Sequence, residues 1–170
     1  MKILWLDIET TGLDPKDSQI LSIGAIYGQR EFQCFIKHEQ LNGSLDSILM
    51  NHQTLLRCRE EGNKYWIEQL YNFINATDAE FIGGHGVAFD VDHLSKRVGC
   101  LMGRTWIVGN KRFKHHYIDT AILGYAVYRE VLSLKELCQR LDIKYGEHDS
   151  LGDARSAKQC EEALCKILHT

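Results

Sequence analysis

Three short stretches of this sequence hold acids at spacings that could work together. The first is DIETTGL, with Asp7 and Glu9 two residues apart at the end of an apolar run. In a strand, side chains at i and i+2 share a face. Two carboxylates side by side repel and raise each other's pKa. A divalent cation between them removes that cost, and it takes oxygen ligands. The end of a strand is also where α/β sheets gather their ligands. The second stretch is HGVAFDVDHL, in which Asp90 follows a short apolar run and opens a predicted helix. An acid in a first helical turn also serves the helix dipole. Asp90 and Leu94, however, are four apart and lie on one stripe, which puts this carboxylate beside a core position. Asp92 and His93 are the competing polar choices nearby. The third stretch is HDSLGDA, with His148 in a loop and Asp153 in the first turn of the terminal helix. One turn of chain passing from extended to helical can bring both to one place. Taken singly, each stretch has a bland reading: a solvated strand end, a helix-start acid, one loop histidine among eight.

The elements that must position these groups are legible from periodicity and punctuation. Residues 2–8 read as a short buried strand, followed by the turn-like TTGLDP. Residues 20–27 and 31–37 read as two strands joined by Gly28-Gln29-Arg30 in a hairpin. A single helix is predicted over 44–59, and another over 64–76 from the spacing of Trp66, Ile67, Leu70, Phe73 and Ile74. A buried strand at 80–84 and a helix at 87–98 follow. Residues 117–118 end another strand, with Asp119 capping a helix through 128. Ser-Leu-Lys-Glu at 133–136 is a capping box, and the last helix spans 151–168. Strands come first and helices interleave later. That order predicts an α/β fold, a mixed sheet flanked by helices, in one domain over 1–170.

Composition narrows the function classes. The chain has 170 residues, 44% hydrophobic and 25% charged, as in ordinary globular proteins. A domain this size needs no metal merely to fold, so a metal here would serve chemistry. The net charge of −3 gives no bulk attraction to nucleic acid or to an anionic membrane. A polyanionic substrate would need local devices: cations, a basic patch, or both. One basic segment exists, with Lys111, Arg112, Lys114, His115 and His116, Lys96, Arg97 and Arg104 close in sequence, and Trp106 and Phe113 interleaved. Such clusters contact phosphates without reading sequence, and they also occur as solvated loop faces. The six cysteines show no zinc-site spacing, and neither a signal peptide nor a membrane span is predicted. Reduced thiols in a cytoplasmic protein with no membrane partner are the expectation.

Taken together and in order, DIETTGL, HGVAFDVDHL and HDSLGDA resemble the three motifs of the DEDDh group of 3′-5′ exonucleases, DnaQ-like proteins on an RNase H-like fold. The resemblance covers nearly the whole chain. It implies a mixed five-stranded sheet and a metal-dependent exonuclease acting on 3′ ends of single-stranded DNA or RNA. Asp7, Glu9, Asp90 and Asp153 would hold two divalent cations, Mg²⁺ or Mn²⁺. His148 would be the general base, since an imidazole titrates near neutral pH. The resemblance further sets the Thr10-Thr11-Gly12 backbone against the terminal sugar, Leu13 as a wedge beside the last base, and Phe89 in the pocket wall. Two positions depart from the pattern. Gly86, with His85 beside it, stands where Asn is frequent, and Ser150 where Ala is common. Both bear on how the terminal nucleotide is held, and His85 is included among the substrate-binding candidates. A monomer, a homodimer and a replication or RNA-processing partner all stay open. The other functions weighed are a nucleic-acid-binding scaffold without turnover and a metal-dependent nucleotide phosphohydrolase.

Overall fold

The computed structural model describes residues 1–103, 105–146 and 148–169. Its main sheet has five strands: β1 (Ile3–Thr10), β2 (Ile20–Tyr27), β3 (Arg30–Phe35), β4 (Phe81–Gly84) and β8 (Ile118–Asp119). They lie in the order β3-β2-β1-β4-β8. The β1–β2 and β2–β3 pairs are antiparallel; the β1–β4 and β4–β8 pairs are parallel. The mixed sheet follows from the connections. A tight turn at Gly28, whose φ is +62°, reverses β2 into β3. The parallel strands are reached through helices.

Alternation along β1 sorts the two faces. Leu4, Leu6 and Ile8 join Ile23, Ala25 and Ile82 in one core, under α3 (Trp66–Asn75) and α4 (Ala88–Ser95). Ile3 and Trp5 join a second core with α5 (Thr120–Tyr128), α6 (Leu134–Arg140) and α7 (Ser150–Leu168). Asp7 and Glu9 continue the odd-numbered face, so acids replace apolar residues where that face runs out toward the end of β1. Predicted caps form: the Asp119 side chain accepts from the Ala121 N–H, and Ser133 and Glu136 make the reciprocal capping box. All six cysteines are free.

Two predictions are corrected. The single helix over 44–59 is two, α1 (Leu45–Met50) and α2 (His52–Glu61). The break falls at Asn51, whose side-chain amide donates to the Thr10 carbonyl at 3.1 Å and draws the chain inward. The basic segment is only partly a loop: Lys111 and Arg112 lie in a strand, while residues 113–117 lie outside any strand. The chain before residue 113 forms a second sheet of β5 (Cys100–Met102), β6 (Thr105–Val108) and β7 (Lys111–Arg112). Trp106 and Phe113 are fully buried in the first core, and the Trp106 indole N–H donates to the Val98 carbonyl. They are therefore core residues and offer no face to a nucleic acid. Lys111 donates to the Thr77 carbonyl, and Lys114 and Lys96 pair with Glu80 and Asp92. Those cations are committed to partners within the chain. Arg104 lies outside the described residues.

Candidate active site

Four carboxylates from three distant segments meet at the carboxyl end of β1. The meeting depends on how closely α7 crosses the sheet. Asp7 pairs with Gly24 across β1–β2, and Glu9 with Ser22. A Cβ on Gly24 would lie 2.3 Å from the Ser150 and Leu151 backbone, so only glycine lets the helix start there. Ser22 Oγ donates to Ser150 Oγ at 3.0 Å, and Ser150 is fully buried at the crossing. Asp153, one turn further along α7, then faces Asp7 and Glu9. Asp90 arrives from the other direction. Strand β4 stops at Gly84, so the Ile8 N–H finds no strand on that side and donates instead to Asp90 Oδ1 at 3.0 Å. A register shift between Glu9 and Thr10 ends the regular ladder beside the acids.

Burial and mutual repulsion perturb all four groups. Asp7 is held well above the usual carboxylate range, first by burial and then by the charges of Asp90, Asp153, Glu9 and Asp149. Burial, then Asp153 and Asp149, push Glu9 up to about 8, although a hydrogen bond from Asn51 works the other way. Burial raises Asp90, against the pull of the Ile8 amide. Asp153 is pushed up to about 7, chiefly by burial, with the Tyr145 hydrogen bond opposing. Acids arranged this way favour a positive charge among them.

The donor set fits hard cations. Asp153 Oδ1 is buried and, among the described residues, has no hydrogen-bond partner. Glu9, His148 and Asp153 each offer a ligand atom, all within 4.8 Å of one another. Oxygen-rich clusters with one imidazole suit Mg²⁺ or Mn²⁺ rather than a soft metal. His148 is exposed at the rim, with backbone φ of +61°. His93 and Asp92, the competing choices, are engaged elsewhere. His93 Nε2 meets Ser18 Oγ at 2.9 Å, and Asp92 pairs with Lys96.

The remaining candidates lie on the segments that flank the acids in sequence. Thr11 is fully buried: its N–H donates to the Gln19 carbonyl, its Oγ1 to the Asn42 carbonyl, and its own carbonyl accepts from the Ser44 N–H. Thr10 Oγ1 donates to the Gly12 carbonyl at 2.7 Å. These bonds stiffen the loop that carries Leu13, which is 84% exposed over a cleft lined by Gly12, Ser18 and Gly43. Phe89 is half-buried, its ring centroid 4.2 Å from that of His93. His85 faces protein atoms at both nitrogens: Nδ1 lies 2.9 Å from Thr120 Oγ1 and Nε2 lies 3.1 Å from the Leu132 carbonyl. Gly86 has a φ of +70°, and its N–H donates to Asp119 Oδ1.

Sequence reasoning missed three groups near the acids. Asp149 caps α7 through the Gly152 N–H and lies 3.9 Å from an Arg57 guanidinium nitrogen. Asn51 reaches the site from the break between α1 and α2. Tyr145 places its hydroxyl 3.4 Å from Asp153 Oδ2. Only the cap had a visible signal, an Asp directly before a helix start.

Comparisons with known proteins agree with one another. A family model described as Exonuclease (RNase_T) matches residues 4–160. The chain is 29% identical over 163 residues to a PolC-type DNA polymerase III from Thermotoga maritima, covering 91% of this chain and 11% of that protein. It is 28% identical over 170 residues to an oligoribonuclease from Chromobacterium violaceum, covering 89% of this chain and 86% of that one. Exonuclease I from E. coli, in complex with a 5cy-dA13 oligonucleotide, superposes with a TM-score of 0.69 at 16% identity, over 98% of this chain and 40% of that chain. The chain thus spans about a tenth of the polymerase's length and less than half of exonuclease I.

Proposed function

The chain belongs to the exonuclease family, and from that premise we propose that it is a DEDDh-type 3′-5′ exonuclease, one domain that releases nucleoside 5′-monophosphates from single-stranded 3′ ends. The observation that carries this reading is the convergence of Asp7, Glu9, Asp90 and Asp153 on one end of the sheet, with exposed His148 beside them. In this reading the four acids hold two Mg²⁺ or Mn²⁺ ions, as the Asp153 oxygen without a partner among the described residues supports. Bound there, such a pair supplies Lewis acidity to the attacking and leaving oxygens of an in-line displacement. The chain's own residues do the rest. His148 takes a proton from the attacking water. The stiff Thr10-Thr11-Gly12 turn meets the terminal sugar, and exposed Leu13 wedges against the last base, an apolar contact that tolerates any base. Phe89 lines the same side. His85 acts from behind, bracing the segment between β4 and α4 through Thr120 and Leu132.

Single-stranded DNA and RNA both have support as substrates, since one similar structure holds a dA13 oligonucleotide and one relative is an oligoribonuclease. Digestion of matched RNA and DNA strands, labelled at the 3′ or the 5′ end, tests the proposal. With Mg²⁺ present, labelled mononucleotide leaves the 3′ end from the first turnover, and the 5′ label stays on a shrinking strand. Internal fragments, or turnover of free nucleotides alone, would contradict it.

A further inference from the structure

The link between α6 and α7 holds a tyrosine against the histidine. Tyr145 packs its ring on the second core, among the residues of α6 and α7. The backbone just before it is pinned at two points. The Ile143 N–H donates to the Cys138 carbonyl at 2.9 Å, and Ser156 Oγ donates to the Lys144 carbonyl at 3.2 Å. Gly146 approaches Asp153 so closely that a Cβ there would lie 2.3 Å from Oδ1. From this fixed base the phenol oxygen reaches two groups: Asp153 Oδ2 at 3.4 Å and His148 Nδ1 at 3.5 Å. The two rings stand edge to face, 85° apart with centroids at 5.8 Å.

We propose that Tyr145 is a positioning residue for His148, fixing its ring orientation and tautomer so that Nε2 is the nitrogen offered to the attacking water. The inference rests on the reading of His148 as general base. It follows from counting protons. With a cation among the acids Asp153 is ionised and can only accept, so the phenol's one hydrogen goes to Asp153. The phenol oxygen then has only lone pairs for His148, and the hydrogen of that contact must sit on Nδ1. A neutral imidazole protonated at Nδ1 carries its free lone pair on Nε2. Both contacts are long, as catalytic hydrogen bonds often are before substrate arrives. The same hydroxyl occupies Asp153 Oδ2 and leaves Oδ1 for a cation, so one side chain orients the base and a ligand together.

The test is a double-mutant cycle read as kcat and KM. Tyr145→Phe keeps the ring and removes the hydroxyl, and it lowers kcat about tenfold with little change in KM, the size expected when a supporting partner is lost. In a His148→Ala background the same change costs clearly less, the remainder being the hydroxyl's hold on Asp153. Imidazole nitrogen NMR of the Mg²⁺-loaded wild type reads the tautomer directly and shows His148 protonated at Nδ1, whatever the variant does to folding. A wild-type kcat in Tyr145→Phe overturns the proposal. So does a loss that persists in full without His148, or an Nε2-protonated ring in the wild type. A His148→Ala protein with wild-type kcat instead removes the general-base reading itself, a separate failure.

Discussion

Replacing Glu9 by Gln stabilises the metal-free protein at high pH while destroying its activity. Glu9 binds its proton with a pKa near 8 in the folded chain, against an ordinary value of 4.5. The sign follows from proton counts. Between pH 4.5 and 8 the folded state keeps a proton that the unfolded state has lost, so stability falls as pH rises through that window. Each tenfold mismatch in proton affinity is worth about 1.4 kcal/mol, so full ionisation costs the wild type up to about 5 kcal/mol. A Gln keeps the volume and can keep a hydrogen bond to Asn51, but its amide must still be desolvated. The net gain for the variant is then about 2–3 kcal/mol, which at this chain length is roughly 4–12 °C in melting temperature. Thermal melts in EDTA at pH 5.5 and pH 8.5 read it out. The variant melts higher at pH 8.5, and the gap closes at pH 5.5, where folded wild type carries the proton. Adding Mg²⁺ reverses the order, because only the wild type keeps the full ligand set. A Glu9→Gln protein no more stable than wild type at pH 8.5, or a gap equal at both pH values, refutes the argument.

Three further outcomes follow from single contacts. Gly24→Ala sets a Cβ into the backbone of Ser150 and Leu151; it costs about 2 kcal/mol or more in denaturant unfolding and lowers kcat, since the helix bearing Asp153 must shift. Leu13→Ala changes stability by less than about 0.5 kcal/mol because the side chain is exposed, and it raises KM for oligonucleotides about fivefold, the loss of one apolar contact to a base. Trp106→Ala costs about 3–5 kcal/mol and leaves oligonucleotide affinity of the folded fraction unchanged, which separates its core role from a binding one.

Alternation in β1, the capping box at Ser133 and the long apolar stripe of α7 were each readable because local pattern and final environment agree. The same holds for the order of the acidic motifs. Asp7 and Glu9 share a face by strand geometry alone. What brings Asp153 to them is Gly24, whose role is a close approach between elements more than a hundred residues apart, and no local pattern encodes that. The segment 100–112 misled for a related reason. Its short strands carry Lys, Arg and Gly at the surface, so the charges dominate the pattern, while Trp106 and Phe113 are claimed by a core assembled from α3, α4 and β1. Asn51 broke a predicted helix because its amide answers a carbonyl on Thr10, a tertiary demand that overrides helix propensity. Tyr145 is invisible in sequence: a tyrosine three residues before a histidine has no periodic or capping signature.

The central claim is that four separated acids form one cage for hard cations. Anomalous scattering from a crystal grown with Mn²⁺ tests it most directly. The account predicts two peaks about 3.5–4 Å apart, bounded by Asp7, Glu9, Asp90 and Asp153, with His148 at the edge. Manganese bound elsewhere on the surface, with no density among those carboxylates, would contradict it.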